Sequence, residues 1–597
     1  MVKGAPRLLF AFALALLSAF GCSKTAEDPD TLVIGNGTEP ETLDPGLESS
    51  QPDYRVTIGL FEGLTVYDPK DLSLKPGVAE SWDVSKDRTQ YTFHLRQAKW
   101  SNGDPVTSRD FEWSWKRVLD PAFASKYVEQ ISNYLKNAKA YFNGASADSI
   151  LEGWSESTSE QRAEDAPKLV ELVQKRHVKA LKRCIEREKN ETVAKHLRKA
   201  AEEAAGHDDV PLDQVGVTAT DDRTLLVTLE APTAYFLDLA AFFTYFPVHR
   251  KSVEAYGKNW TRPGNLVSNG PFLLKEWRIK DYILLEKNRA YWDAANVAEL
   301  KLKFLPIENA TTAFNLYEKG RIQWLNDVPR DYVEELVKRP DYHTGPMLTT
   351  YFYGFNLKKD VLGRKKVRQA LARAIDKEKI TKHVSRAGEI PASSFVPSGI
   401  VPPGMPAYTP APTHPYDPEG ARALLAEAGY PDGKGFPKFE ILYNTQEGHR
   451  QIASAIQEMW RETLHIETVL RNVEFKVMLE MQNRMEFDVT RRAWIADYND
   501  PNTFLDMFTT TNGQNNTGFS NAEYDRLIEA AGKELDPARR MQLLHDAEAI
   551  LMEELPIVPI YFYVTKNLLK PEVTGFFDNV RDTHPYNRIR LAGKPPK

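Results

Sequence analysis

Three apolar runs separated by two helical patterns, between Phe439 and Ile495, constrain this chain more than any other feature of it. Phe439–Thr445, His465–Leu470 and Phe487–Ile495 read as strands, and Glu447–Leu464 and Phe475–Asn483 read as helices. Apolar strands alternating with helices make a βαβαβ unit, hence a parallel sheet covered on both faces. Ligands on such sheets bind beyond the carboxyl ends of the strands. Asn444, His449 and Asp497 all fall at such ends. Asp497 opens a loop, because Tyr498-Asn-Asp-Pro501 combines two local capping residues with a proline that fixes φ. A carboxylate beside Trp494 and Tyr498 sits at low dielectric and requires a cation. An internal mate, Arg491 or Arg492, would serve, and so would a cation brought by a ligand. Residue types alone leave both readings open.

With 597 residues the chain needs two to four domains. A hydrophobic share of 42% and a charged share of 27% are those of a soluble globular protein. The net charge is −6, and it becomes −8 without residues 1–21, which carry Lys3 and Arg7. That balance argues against nucleic acid as a partner. Lys3 and Arg7 precede an apolar run, Leu8–Phe20, too short to cross a bilayer and suited to a secretion signal over residues 1–21. Ala19-Phe-Gly-Cys22 then resembles a bacterial lipoprotein cleavage site, so Cys22 is expected to be lipidated and to anchor the chain to a membrane, with ordinary signal cleavage the alternative. Cys184 is the other cysteine, and two so far apart make neither a disulfide framework nor a metal cluster.

Along the rest of the chain, Thr31–Gly35 reads as a strand, and Ser49-Ser50-Gln51-Pro52 as a polar extended stretch able to expose backbone groups to an added strand, or simply as a surface loop. Val56–Leu64 reads as a helix. Period-two patterning in Tyr91–Arg96 predicts antiparallel strands, and Thr107 caps a helix over Ser108–Leu119. His94, on the polar face of its strand, reads as structural. Between 148 and 209 the composition shifts to Glu, Lys, Arg and Ala with apolar residues at helical spacing, which predicts exposed amphipathic helices. His177, Cys184, His196 and His207 lie there, at spacings too irregular for a metal site. Phe272–Lys287 reads as a hairpin, Ala310–Lys319 and Lys366–Ile375 as helices, and Asp417, Pro418 and Gly429 bracket another. The prolines from Pro391 to Pro418 predict a stiff connection across the surface.

Arg491…Trp494-x-Ala-Asp497-Tyr-Asn-x-Pro501-x-x-Phe504 resembles the signature stretch of the extracytoplasmic oligopeptide-binding proteins of ABC importers, solute-binding protein family 5. Leu60-Phe-Glu-Gly-Leu64, Pro76-Gly-Val-Ala-Glu80, Lys99-Trp100-Ser-x-Gly103, Asn269-Gly-Pro271, Tyr291-Trp-Asp293 and Tyr443-Asn-Thr445 extend the likeness over nearly the whole mature chain. The resemblance implies an α/β fold of two-lobed periplasmic-binding-protein architecture, type II with an extra domain, its mixed sheets flanked by helices. Lobe I would comprise 22–61, 250–350 and 565–597, the extra domain 62–249 with 148–209 inserted, and lobe II 351–564. It also implies that Asp497 receives the α-ammonium of an oligopeptide. Ser49, Ser50, Gln51, Ala493, Trp494 and Ile495 would present backbone groups to the peptide, Tyr127 and Trp494 would line side-chain pockets, and Arg491 and His449 would reach its carboxyl end. Tyr127 as a plain core residue is the alternative. Where the family pattern has a further Arg, this chain has Gln482, with Arg484 nearby. Expected partners are an ABC permease and its ATPases, which would recognise a form closed about hinges near 350 and 565. The chain is expected to be a monomer in the periplasm or cell envelope, without cofactor or metal.

A hydrolytic enzyme on a two-lobed scaffold is the rival class, since fold does not fix function. The sequence has no His-Glu-x-x-His, Gly-x-Ser-x-Gly or nucleotide-binding Gly-x-x-x-x-Gly-Lys-Ser/Thr. Within the binding class, a non-peptide ligand or a cell-wall peptide remains open, as does a sensing role.

Overall fold

A computed structural model describes residues 30–143 and 210–592, apart from 234, 299, 403 and 404. The secretion signal, Cys22, Cys184 and the segment 148–209 lie outside the described residues.

Two large mixed sheets organise the molecule. The first has seven strands in the order Phe272–Arg278, Tyr282–Lys287, Lys301–Leu305, Thr31–Gly35, Trp324–Leu325, Asn567–Leu569 and Tyr342–His343. Thr31–Gly35 pairs in parallel with strands on both sides of it. The second has six strands in the order Ile390–Pro391, Ile557–Val564, Pro346–Phe355, Val489–Ile495, Phe439–Asn444 and Thr468–Val473. Its last three form the parallel unit expected from the sequence, with Phe439–Asn444 between the other two. Helices Glu447–Leu464 and Phe475–Asn483 make the crossovers. Alternation sorts its central strand onto two cores: Tyr351, Tyr353 and Phe355 pack on one side, Leu348 and Phe352 on the other.

The chain passes between the sheets twice, from Tyr342–His343 into Pro346–Phe355 and from Ile557–Val564 into Asn567–Leu569. The two passages touch where the Thr565 amide donates to the Gly345 carbonyl at 2.9 Å. A third, antiparallel sheet of Ala79–Val84, Gln90–Leu95, Thr224–Thr228 and Val217–Asp221 carries helix Ser108–Val118. Its core is continuous with one face of the seven-stranded sheet. His94 sits on its exposed face beside the Asp83 carboxylate, as a structural residue would.

Three expectations are corrected. Gln51 and Pro52 are not extended: they open the helix Gln51–Leu60, with Ser50 as its cap accepting from the Asp53 amide, so the helix ends four residues before Leu64. The strand expected at His465 begins at Thr468, because His465 takes a left-handed φ of 55° that ends the preceding helix. The proline-rich connection is no surface strap, since Phe395, Val396, Ile400, Tyr408 and Ala411 are buried. The Glu548 carboxylate pins it, accepting from the amides of Phe395, Val396 and Ala411 and from the Tyr408 hydroxyl at 2.7–3.0 Å.

Candidate ligand-binding cleft

The loop after Val489–Ile495 is locked from within. The Asp497 amide donates to the Thr503 hydroxyl at 3.0 Å, and the Asn502 amide to the Asp500 carboxylate at 2.9 Å. The loop carries two buried aspartates with opposite fates. Asp500 is gripped at both oxygens by Arg540, at 2.6 and 3.0 Å, with both side chains about 1% exposed. Asp497, 7% exposed, has no Lys, Arg or His nitrogen within ion-pair distance among the described residues; its Oδ2 accepts only from the Gln130 amide nitrogen, at 3.3 Å. The two candidate internal mates are occupied elsewhere. Arg491 donates to Asn444 and to the Tyr563 hydroxyl, and Arg492 donates to Gln514. Arg581 does approach, yet it donates at 2.5 Å to the main-chain carbonyl of Asp497, not to its carboxylate. Burial pushes the Asp497 carboxyl up to about 8; the Arg581 charge opposes that shift and Asp506 adds to it.

One edge of the adjacent strand is open. Val489–Ile495 pairs along its full length with Thr349–Phe355, whereas on its other side only Val489 and Thr490 meet Phe439–Asn444. Among the described residues, Ala493, Trp494 and Ile495 therefore have no strand on that side. Gln482 spans the start of this edge, donating to the Thr490 hydroxyl and the Arg491 carbonyl from a buried position, while Arg484 is exposed. Neither replaces the arginine of the family pattern.

Tyr127 packs edge-on against Phe242 and Phe243, with ring centroids 5.4 and 5.3 Å away. Together with Gln130, Trp494 and Asp506 it lines a shallow recess. Trp494 is held by its ring nitrogen, which donates to the Thr503 carbonyl at 2.6 Å. Ser49 accepts from Lys126 at 3.1 Å, on the same side of the recess. At the far end of the strand, Arg491 lies 4.9 Å over the Tyr351 ring, and His449 Nδ1 is 3.3 Å from the Tyr351 hydroxyl. Burial, then the charges of Arg491 and Arg330, hold His449 well below the usual imidazole range, so the ring is neutral. Asn444, His449 and Arg491 thus form one group, and Asp497, Trp494, Tyr127 and Gln130 another. Sequence reading missed Gln130, Arg581 and Arg330, which no local motif marks.

The two sides of the cleft touch across the third sheet's domain. Tyr235 stacks on Tyr498 with centroids 4.7 Å apart and planes within 8°, and Asn502 donates to the Tyr235 hydroxyl at 2.9 Å.

Residues 73–516 match the model of the bacterial extracellular solute-binding proteins, family 5. The chain belongs to that family. It is 34% identical to the periplasmic murein peptide-binding protein MppA of Escherichia coli, over 97% of this chain and 98% of that protein. It is 33% identical to the periplasmic oligopeptide-binding protein OppA of the same organism, over 96% and 95%. Its fold superposes on the structure of E. coli MppA with a TM-score of 0.78, covering 94% of this chain and 98% of the other at 33% identity. Against the unliganded open form of MppA the score is 0.63, covering 94% and 97% at 32% identity. The family 5 architecture is two-lobed, as expected, and its members are solute-binding proteins, not enzymes. The lobe arrangement here is nearer to that of the first MppA structure than to the open form.

Proposed function

We propose that this family 5 protein captures peptides between its lobes outside the cytoplasm and delivers them to an ABC permease. The observation that carries the reading is a buried carboxylate, Asp497, with no cation in contact and beside a strand edge with no partner among the described residues. A peptide of any sequence offers an ammonium for the first and alternating amides for the second. In this reading Asp497 receives the α-ammonium, and Ser49, Ser50 and Ala493–Ile495 pair with the main chain. Gln51, at the start of a helix, contributes at most its free amide. Tyr127 and Trp494 flank a side-chain recess, and Arg491 with neutral His449 and Asn444 faces the carboxyl end.

Relatives named for oligopeptides and for a murein peptide support a peptide ligand. The MppA likeness favours cell-wall peptides as a second reading, and such a ligand would meet Asp497 by the same chemistry if it bears a free amine. We assign lobe I to 22–61, 250–350 and 565–597, lobe II to 351–564, the extra domain to 62–249, and the hinge to the paired passages at Gly345 and Thr565. Cys22 is proposed as the lipid attachment site and the protein as a monomer.

Native mass spectrometry of protein purified without denaturation, followed by sequencing of what is released, tests the ligand class. Peptides are expected, and N-acetylated peptides should bind far more weakly than their free counterparts. Equal titration curves for free and acetylated peptides would refute the role of Asp497.

A further inference from the structure

Arg330 belongs to the lobe of the seven-stranded sheet, yet its side chain reaches the other lobe. It sits on the turn Arg330–Tyr332, which follows the strand Trp324–Leu325. Val328 and Val333 bury the flanks of the turn, and Tyr332 packs 5.1 Å from Phe314. From this anchored base the guanidinium lies flat on Gly448, in the first turn of helix Glu447–Leu464. A Cβ added at Gly448 would stand 2.3 Å from Cζ, 2.6 Å from Nη2 and 2.7 Å from Nε. Only glycine admits the guanidinium there.

Arg330 Nη1 is buried without a hydrogen-bond partner, and among the described residues no carboxylate lies within ion-pair distance of this side chain. Arg491, from the second lobe, shares its neighbours, since both charges act on His449 and on Tyr351. It is nine-tenths buried, its Nε has no partner, and its other nitrogens meet only neutral groups, Asn444 and Tyr563. His449, between the two, adds no negative charge. Among the described residues, Glu389 attracts Arg330 through space, but its oxygens are engaged by Lys566 at 2.8 Å, the Ser385 hydroxyl at 2.9 Å and the Ala387 amide at 3.1 Å.

Two guanidiniums from opposite lobes, neither in contact with a carboxylate among the described residues and with a helix N-terminus beside them, leave room for an anion that would satisfy both. We infer that Arg330 and Arg491 together clamp a carboxylate of the ligand, one from each lobe. This rests on the peptide reading above. It supplies from the opposite lobe a second guanidinium near the carboxyl end, where the family's additional arginine is replaced by Gln482. It also makes carboxylate capture a driver of closure, because Arg330 gains its partner only when the lobes meet.

The test uses the full-length protein and mixed-sequence peptide pools of two to six residues, as free acids, as C-terminal amides lacking Asp and Glu, and as amides containing them. Arg330→Gln deletes the charge; Gly448→Ala keeps it and displaces it. Both should weaken free-acid binding on the order of 10- to 100-fold and leave the non-acidic amides bound as by the wild type. A loss confined to the acidic amides would assign the clamp to a side-chain carboxylate of the ligand. An equal change for all three pools, or no change in any of them, would overturn the clamp. Binding of no pool by the wild type would refute the peptide reading and the clamp with it.

Discussion

Asp497→Asn keeps the shape of the side chain and removes its charge, and it should move stability and binding in opposite directions. Burial lifts this carboxyl to about 8 in the fold, against about 3.9 in an unfolded chain. Between those values the folded protein holds a proton that the unfolded chain has lost. Folding is therefore penalised more as pH rises from about 4 towards 8, and the penalty is absent below about 4. Integrating over that window gives about 1.5 kcal/mol at pH 5 and about 5 kcal/mol at pH 7.5. Asparagine carries no such penalty. Ligand-stripped Asp497→Asn should exceed the wild type in urea unfolding by margins of that order, larger at pH 7.5 than at pH 5. Glu62, Asp238 and Glu548, also lifted to about 7, are common to both proteins and cancel in the difference, whereas Asp506, lifted to about 7 as well, repels Asp497 and is relieved in the variant, which adds to the effect in the same direction. The same variant should lose on the order of 3–5 kcal/mol in capture of free-amine peptides. Equal stability at both pH values, or a wild type that gains on the variant as pH rises, would refute the reasoning.

Peptide capture at pH 7 should release close to one proton, since a carboxyl with a pKa of about 8 is roughly 90% protonated there and must ionise to meet an ammonium. Calorimetry in phosphate and in Tris reads this directly, and identical heats would exclude it. Arg540→Ala should cost about 3–5 kcal/mol in thermal or urea unfolding, because it strands Asp500 as a buried unpaired charge; a loss below about 1 kcal/mol would contradict the pairing described here. Tyr235→Ala removes both the stack on Tyr498 and the acceptor of Asn502, and should weaken peptide binding roughly tenfold or more. Unchanged affinity would show that this contact does not hold the lobes together.

Elements were legible where the signal is local. Asp417 caps its helix by accepting from the Gly420 amide, Pro418 starts it, and Gly429 follows it with a left-handed φ of 96°, as the sequence foretold. Helices Glu447–Leu464 and Phe475–Asn483 fall at the expected residues, because their apolar period and the flanking strands agree. The errors have local causes as well: Ser50 outcompeted an extended reading by capping, and His465 adopted the left-handed conformation that ends a helix. The proline-rich connection misled because its burial is decided by Glu548, far along the chain, whose carboxylate satisfies backbone amides that would otherwise be exposed.

The site was legible by residue type and illegible by pairing. Asp497 and Asp500 share one loop and one residue type and are both buried, and nothing in Trp494–Pro501 says which of them is satisfied. What separates them is Arg540, delivered by helix Pro537–Glu554, which takes both oxygens of Asp500 and leaves Asp497 with one amide donor. A chain selected for stability alone would have no reason to keep the second carboxylate, since removing it should stabilise the empty protein. Its retention beside an open strand edge is intelligible when the missing cation arrives with the ligand. Arg330 and Arg491, with no carboxylate in contact among the described residues, pose the same problem with the opposite sign, and a zwitterionic guest resolves both at once.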